Sequence, residues 1–361
     1  MSVVVTVPHS RPTIVAGMQD AVAAVVASEQ HAGGGIRREF ERALGRRLGV
    51  SHAVAVQSGL AALHLALLAL GVRRGQRVLV PSYVCAALLH AIDAVGARPL
   101  VADVDPRTFN LDALHARQAL AREHVVAQDV ACAIVPHLFG YPAPLHLWDL
   151  EIPVIEDCAM ALGASIGSEE VGVFGVVSVF SFYATKMIST GQGGLLATNQ
   201  PAVGAEALDL IQYDNRSYWR PCWNYPLPDL GAALGKAQLP HLDGFLERRR
   251  DLAVRYRDAL RGLPVGFQEV FPETTPACFR FVVLLEGAET RDRLQADLAA
   301  AGVETKSPVF RPLHAYLGLP ASHFPNTEQI QARALSLPIY PALSAAEQEH
   351  VIDHLRRSLE S

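Results

Sequence analysis

The sequence predicts an α/β fold in which a mostly parallel sheet carries helices on both faces. Short apolar runs alternate with helical stretches in the first half of the chain, a pattern typical of parallel sheets. These runs cover residues 77–80, 99–104, 132–136 and 153–157. The chain has 361 residues, more than one hydrophobic core usually serves, so we expect a smaller second domain as well.

The remaining pattern divides the chain into these two parts. A buried helix is predicted over residues 61–70, and strands over 177–181 and 194–198 continue the sheet. A long helical pattern runs from Asp229 to about residue 260, and Pro240 is expected to kink or split it. A strand over 279–285 and helices over 291–301 and 345–359 follow. We therefore predict a large domain, residues 1–245, that includes an N-terminal helical segment, and a smaller α/β domain, residues 246–361.

Composition excludes several classes of protein. Half of the residues are apolar, 19% are charged and the net charge is −5, as in a well-buried globular enzyme. The densest basic run, Arg248-Arg249-Arg250, lies between two acidic residues and is best interpreted as a solvated helix face, so no nucleic-acid partner is expected.

Five scattered cysteines without metal-ligand spacing suggest reduced thiols and no metal site. The N-terminus shows no signal-peptide pattern, and the longest apolar stretch is too short to span a bilayer. We expect a cytoplasmic protein with no membrane partner.

Lys186 is the first candidate catalytic residue. Three of the 31 basic residues are lysine, the others being arginine, and one of the three stands in Ser181-Phe-Tyr-Ala-Thr-Lys186, just before Gly191-Gln-Gly-Gly194. Only lysine offers an amine that can lose its proton and attack a carbonyl. Asp157 stands 29 residues earlier, at the end of an apolar run. The pair suggests a Schiff-base lysine and the partner of a pyridinium nitrogen, as pyridoxal phosphate requires. A surface lysine in a turn is the alternative.

Other residues can be assigned to the same cofactor. Ser58 and Gly59 lead into a helix whose free N–H groups and dipole attract phosphate, and Ser181 could add a hydroxyl. A protonated ring nitrogen would lower the pKa of Asp157 and keep it ionised. Lys186 would move a proton between the substrate carbon and the cofactor.

The chain resembles the DegT/DnrJ/StrS family of fold type I pyridoxal-phosphate enzymes, best known as sugar aminotransferases. The resemblance covers nearly the whole chain. The matching motifs are Phe40-Glu41, Ser58-Gly-Leu-Ala-Ala-Leu63, Pro81-Ser-Tyr83, Asp103-Val-Asp105, Glu156-Asp157, Ala161-Leu-Gly163, the segment from Ser181 to Gly194, Asn224-Tyr225, Ala232-Ala-Leu-Gly235, Gln238-Leu239, Pro312-Leu-His314 and Leu337-Pro338.

The resemblance implies a homodimer whose active sites lie at the subunit interface. It implies that Asn224 reaches the phosphate of the neighbouring subunit and that His314 lies near the substrate; a surface-loop histidine is the alternative for His314.

This chain departs from the family pattern at five positions. Leu60 replaces the usual threonine of the phosphate site, and Cys85 replaces an aromatic residue that often stacks on the cofactor ring. Met160 replaces glutamine or histidine, Gln192 replaces glutamate, and Pro226 replaces a polar residue. Loss of one neutral hydrogen bond at Leu60 costs about 0.5–1.5 kcal/mol, which would weaken cofactor binding without abolishing it. The changes at Met160 and Pro226 bear more on the substrate.

The leading hypothesis is an aminotransferase that moves an amino group, with glutamate as the expected donor, to a keto group of a nucleotide-linked sugar. Amination of an unlinked cyclic ketone such as a keto-cyclitol is the close alternative. Dehydration of a deoxysugar is disfavoured, because relatives that catalyse it carry histidine where this chain has Lys186. A non-enzymatic regulatory role would be favoured if the protein bound no cofactor. A nicotinamide-dependent reductase is not expected, since no G-x-G-x-x-G opens the first strand-helix unit.

Overall fold

The computed structural model describes residues 7–360. Thirteen strands lie within this range: β1 (His52–Val56), β2 (Arg77–Pro81), β3 (Arg98–Ala102), β4 (Val130–Pro136), β5 (Val154–Asp157), β6 (Ser165–Ile166), β7 (Glu169–Glu170), β8 (Val177–Ser181), β9 (Gly194–Thr198), β10 (Gly266–Phe267), β11 (Thr274–Thr275), β12 (Phe281–Leu284) and β13 (Ala334–Leu337).

The same residues form twelve α-helices: α1 (Met18–Ala27), α2 (Gly35–Leu48), α3 (Gly59–Ala69), α4 (Ala87–Ala94), α5 (Ala113–Arg122), α6 (Pro201–Leu210), α7 (Asp229–Gln238), α8 (Leu242–Ala259), α9 (Ala288–Ala300), α10 (Leu313–Tyr316), α11 (Pro325–Arg333) and α12 (Ala345–Glu360). Among residues 7–360, no helix combines the length and apolar character needed to cross a membrane. The absence of a signal peptide was predicted partly from residues 1–6, which lie outside the described residues.

A seven-stranded sheet in the order β1-β9-β8-β5-β4-β2-β3 forms the centre of the protein. Strands β3, β2, β4, β5 and β8 pair in parallel, whereas β9 runs antiparallel to both of its neighbours. Side chains alternate across this sheet: Val78 and Val80 pack in the core that contains α3 and α4, whereas Leu79 packs in the core that contains α5. The prediction of an α/β fold with a mostly parallel sheet is confirmed.

Local sequence explains where the predicted helices begin and end. The Ser58 hydroxyl accepts a hydrogen bond from the Ala61 N–H at 3.0 Å and so caps the first turn of α3. Pro240 splits the long helical pattern, because α7 ends at Gln238 and a single 3-10 turn, Leu239–His241, separates it from α8.

A second, antiparallel sheet in the order β10-β12-β13 forms within the later part of the chain. The start of the chain also contacts this part: Val7 bridges to Val303, and the His9 ring hydrogen-bonds to Ser336 at 2.9 Å. Helix α8 continues across the predicted boundary between residues 245 and 246. The division into two domains remains a prediction.

Candidate active site

The candidate site lies where neighbouring parallel strands end. Pro136 of β4 pairs with Asp157 of β5, and Ser181 ends β8 beside them, so their carboxyl ends meet at one edge of the sheet. This edge opens into a cavity of about 250 Å³. Eight of the residues predicted from sequence line it: Ser58, Gly59, Leu60, Cys85, Asp157, Met160, Ser181 and Lys186.

One wall of the cavity is the N-terminus of α3. A β-carbon on Gly59 would lie 2.9 Å from the Cβ of Ser181, so only glycine permits the serine to pack this closely. Gly194 likewise permits close packing, since a β-carbon there would lie 2.4 Å from the carbonyl oxygen of Ser58. The free N–H groups of the first helical turn and the Ser181 hydroxyl therefore lie together, which is a geometry suited to a phosphate group.

Lys186 is held by the loop between β8 and β9. The loop is closed by backbone bonds from Phe182 N–H to the Gly193 carbonyl, 2.8 Å, and from Lys186 N–H to the Tyr183 carbonyl, 2.8 Å. The side-chain amide of Gln238 fixes the loop from outside, donating to the Ser189 carbonyl at 2.6 Å and accepting from its N–H at 3.1 Å. These two hydrogen bonds tie the end of α7 to the loop that carries Lys186.

The Lys186 amine is adapted to lose its proton. Burial lowers the pKa of Lys186; the side chains of Cys85 and Asp157 oppose this shift, and the guanidinium of Arg280 adds to it. The Nζ atom lies 4.8 Å from the centre of the Phe279 ring. A lysine with a lowered pKa beside a carboxylate is an arrangement found at catalytic sites.

Asp157 is only 8% exposed and lines the same cavity. Burial raises the pKa of Asp157, whereas the Ala159 N–H, which donates to its Oδ1 at 3.0 Å, Lys186 and His137 lower it. Without the cofactor, the pKa of Asp157 is therefore raised. The lowered pKa of Asp157 that the sequence predicts depends on a protonated ring nitrogen beside the carboxylate.

A buried pair behind Asp157 was not predicted. His137 Nε2 lies 3.0 Å from Glu156 Oε2, and the Ala143 N–H donates to His137 Nδ1 at 2.9 Å. Nδ1 of His137 is therefore the acceptor and Nε2 the donor of these two hydrogen bonds. The Glu156 carboxylate also accepts from the N–H groups of Gly172 at 2.8 Å and Gly175 at 2.7 Å.

This network fixes the end of β5. The backbone N–H of His137 donates to the Asp157 carbonyl at 3.1 Å, and His137 lines the cavity. His137 follows β4 in the chain, so a search for polar residues just after neighbouring parallel strands would have found it.

Four of the five residues that depart from the family pattern, Leu60, Cys85, Met160 and Gln192, line the cavity. Leu60 is 41% exposed, and Cys85 is open to the cavity, although burial and then Asp157 raise the pKa of its thiol. Gln192 lines the same cavity, whereas Pro226 lies outside it and bridges to Val56 of β1.

Two predicted residues are not brought to this cavity. Asn224 is exposed, in the segment that follows α6. His314 is 2% exposed; its Nδ1 lies 2.6 Å from the Ser82 hydroxyl, its Nε2 lies 2.8 Å from Glu328, and its ring stacks on Phe324. His314 is thus neither on a surface loop nor open to the cavity, and its predicted role toward the substrate remains a prediction.

The sequence pattern of the DegT/DnrJ/EryC1/StrS aminotransferase family matches residues 12–356. A GDP-perosamine synthase from Caulobacter vibrioides is 35% identical over 341 residues, which cover 89% of each chain. A GDP-perosamine synthase from Escherichia coli O157:H7 is 32% identical over 320 residues, 85% of each chain. The crystal structure of S. venezuelae DesV in complex with a ketimine intermediate is 32% identical, with a TM-score of 0.89, and the match covers 96% of this chain and 95% of that chain.

Proposed function

The chain belongs to the DegT/DnrJ/EryC1/StrS aminotransferase family, and we propose that it uses pyridoxal phosphate to transfer an amino group from glutamate to a keto group of a nucleotide-linked sugar. One observation carries the proposal: Lys186 and the buried Asp157 line a single cavity whose wall is a helix N-terminus. The names of the two GDP-perosamine synthases support a nucleotide-linked sugar as acceptor.

The cavity residues fit the cofactor. The first turn of α3, with Ser58, Gly59 and Leu60, and the Ser181 hydroxyl would hold the phosphate, and Asp157 would pair with the ring nitrogen. Cys85 and Met160 would border the ring. When bound, pyridoxal phosphate supplies an aldehyde that condenses with amines and a ring that accepts the electron pair of a deprotonated carbon.

The protein's own residues would then control the proton. The lowered pKa of Lys186 leaves its amine ready to bond to the cofactor and, once released by the substrate, to take a proton from the substrate carbon and return it elsewhere. Asp157, held by the Ala159 N–H, would supply the negative charge that pairs with the ring nitrogen. The Glu156–His137 pair keeps the end of β5 in place.

A homodimer with shared sites is part of the proposal. A cavity of about 250 Å³ is small for a ligand pocket, so a nucleotide-linked sugar must extend beyond it. Asn224 lies outside its own cavity, on an exposed segment that carries Trp219, which is 86% exposed. These features favour a partner subunit that covers the cavity and contributes Asn224. Free cysteines throughout residues 7–360 fit an enzyme that works in the cytoplasm.

Two measurements test the proposal. Borohydride reduction and peptide mapping should place a pyridoxyl group on Lys186, and not on Lys236 or Lys306, which pair with Glu39 and Glu304. Mass spectrometry of keto-sugar and keto-cyclitol mixtures, incubated with the protein and glutamate, should then show an aminated nucleotide-linked sugar. A product found only among the unlinked ketones would overturn the substrate assignment.

A further inference from the structure

A second basic side chain, Arg280, lies close enough to Lys186 to lower its pKa further. Arg280 Cζ lies 5.6 Å from the centre of the Phe279 ring, and Lys186 Nζ lies 4.8 Å from the same centre. Gly140 permits this arrangement, since a β-carbon there would lie 2.8 Å from the Phe279 backbone nitrogen. The two basic side chains therefore lie around one aromatic ring, and Lys186 also lines the cavity.

Arg280 is positioned by the protein but is not neutralised by it. Among residues 7–360, its guanidinium makes one hydrogen bond, from Nη1 to His9 Nε2 at 3.3 Å, and no ion pair. Its buried Nε has no partner within this range. Burial, together with Arg280 and Lys306, lowers the pKa of His9 to about 3, so this ring stays neutral and accepts the bond without cancelling the charge.

The neighbouring Arg249 shows what a structural arginine looks like here. Its Nε is also buried without a partner among the described residues, but its Nη1 donates to the carbonyl groups of Cys278, Phe279 and Ile339. Arg280 is half-buried and, in the part of the chain that the structure describes, has no such set of carbonyl acceptors. Unused donors of a partly buried guanidinium are costly unless a ligand supplies acceptors for them. A planar carboxylate matches these donors best.

The position relative to Lys186 selects the ligand. In a 2-amino acid the carboxylate is attached to the carbon that carries the amine, so its anion must lie within a few ångströms of the amine that displaces the lysine. We propose that Arg280 binds the carboxylate of the amino-acid donor and of the 2-oxo acid that it becomes; this inference rests on the aminotransferase function proposed above. Arg280 would thus bind the amino-acid substrate, whereas other residues would hold the phosphate and the ring of the cofactor.

Two amino-group donors, one with and one without a carboxylate next to the amine, test the assignment. Glutamate and 4-aminobutyrate differ only in the carboxylate next to the amine. Each would be titrated into the cofactor-loaded protein without a keto sugar, and the loss of the absorbance of the lysine-bound cofactor would be followed. The wild type should prefer glutamate. Arg280→Gln should raise the apparent Kd for glutamate about 10- to 100-fold, as expected for a lost charged hydrogen bond, and leave that for 4-aminobutyrate nearly unchanged.

Three controls separate this effect from a structural one. Arg280→Lys keeps the positive charge but loses the planar pair of guanidinium donors, so its apparent Kd for glutamate should be intermediate. Arg293→Gln, at an exposed arginine of α9, should bind glutamate as the wild type does. The cofactor affinity and thermal unfolding of Arg280→Gln should match the wild type, and its KM for the keto sugar should not change.

The outcomes distinguish the two proposals. An Arg280→Gln protein that keeps the preference for glutamate, loses the cofactor, or loses affinity for the keto sugar alone would overturn the assignment of Arg280 while leaving the aminotransferase function intact. A wild type that accepts an amino group from no 2-amino acid would overturn both.

Discussion

Nε2 of His137 lies 3.0 Å from a carboxylate oxygen of Glu156, and both side chains are fully buried. The carboxylate also accepts from the N–H groups of Gly172 and Gly175 and, at 4.0 Å, from the Cys158 thiol. The pair lies directly behind Asp157. Side chains of three residues, His137, Glu156 and Cys158, thus meet within 4.8 Å of one another.

Replacing Glu156 by glutamine should destabilise the protein. The amide would place N–H groups against donors, leaving at least one buried donor unsatisfied at a cost of about 1–3 kcal/mol. Urea unfolding would measure the loss, and cofactor affinity should fall with it because β5 carries Asp157. Glu169→Gln, at an exposed position of β7, is the matched control. Equal stability of the two variants would show that the network does not stabilise this end of the strand.

Asp157→Asn should fold at least as well as the wild type, since burial raises the pKa of Asp157 and asparagine removes a charge that is costly to bury. Most transamination should be lost, because asparagine cannot keep the ring nitrogen protonated. Unfolding curves and turnover measured on the same preparation test both halves. Near-normal turnover would assign this role to another group.

Gly59→Ala should weaken cofactor binding. The new methyl would meet Ser181 Cβ at 2.9 Å and push the first turn of α3 away from the serine, so phosphate contacts would be lost. We expect affinity to fall about 10-fold or more, measured by equilibrium dialysis, from the loss of one charged hydrogen bond. Gly244→Ala in α8, where no atom lies within 4 Å of the added carbon, should bind the cofactor normally.

The free energy of unfolding should decrease as the pH falls, because the pKa of His9 is lowered by folding. The pKa of His9 is lowered to about 3 in the folded protein, chiefly by burial, so between pH 6.5 and 3 the unfolded chain takes up a proton that the folded protein does not. The free energy of unfolding should therefore fall by up to about 1.4 kcal/mol per pH unit from this group. His9→Gln should show a shallower fall, whereas His90→Gln, at an exposed histidine, should keep the wild-type slope.

Most residues of the cavity could be predicted from the sequence, because they stand at the ends of predicted strands or at the start of a predicted helix. Asp157 and Ser181 follow apolar runs whose carboxyl ends had to meet in a parallel sheet, and Ser58 precedes an apolar helix. Strand β1 was not predicted. The antiparallel direction of β9 was not predicted either, since the residues of a strand do not determine the direction of its neighbours. Arg280 and His9 lie 271 residues apart, so their contact exists only in the folded chain.

The last prediction is that Asn224 acts in the partner's site. Asn224 is exposed and outside its own cavity, and Leu60 leaves the phosphate site without the hydroxyl that the family usually provides there, so dependence on Asn224 should be strong. Lys186→Ala and Asn224→Ala proteins would be mixed and allowed to exchange subunits. If Asn224 acts in trans, each heterodimer has one site with both defects and one site with neither. Random exchange should then leave roughly a quarter of all sites intact, measurable as restored transamination. Proof of exchange, by native mass spectrometry of differently tagged subunits, without any recovery would mean that Asn224 serves its own subunit or no site.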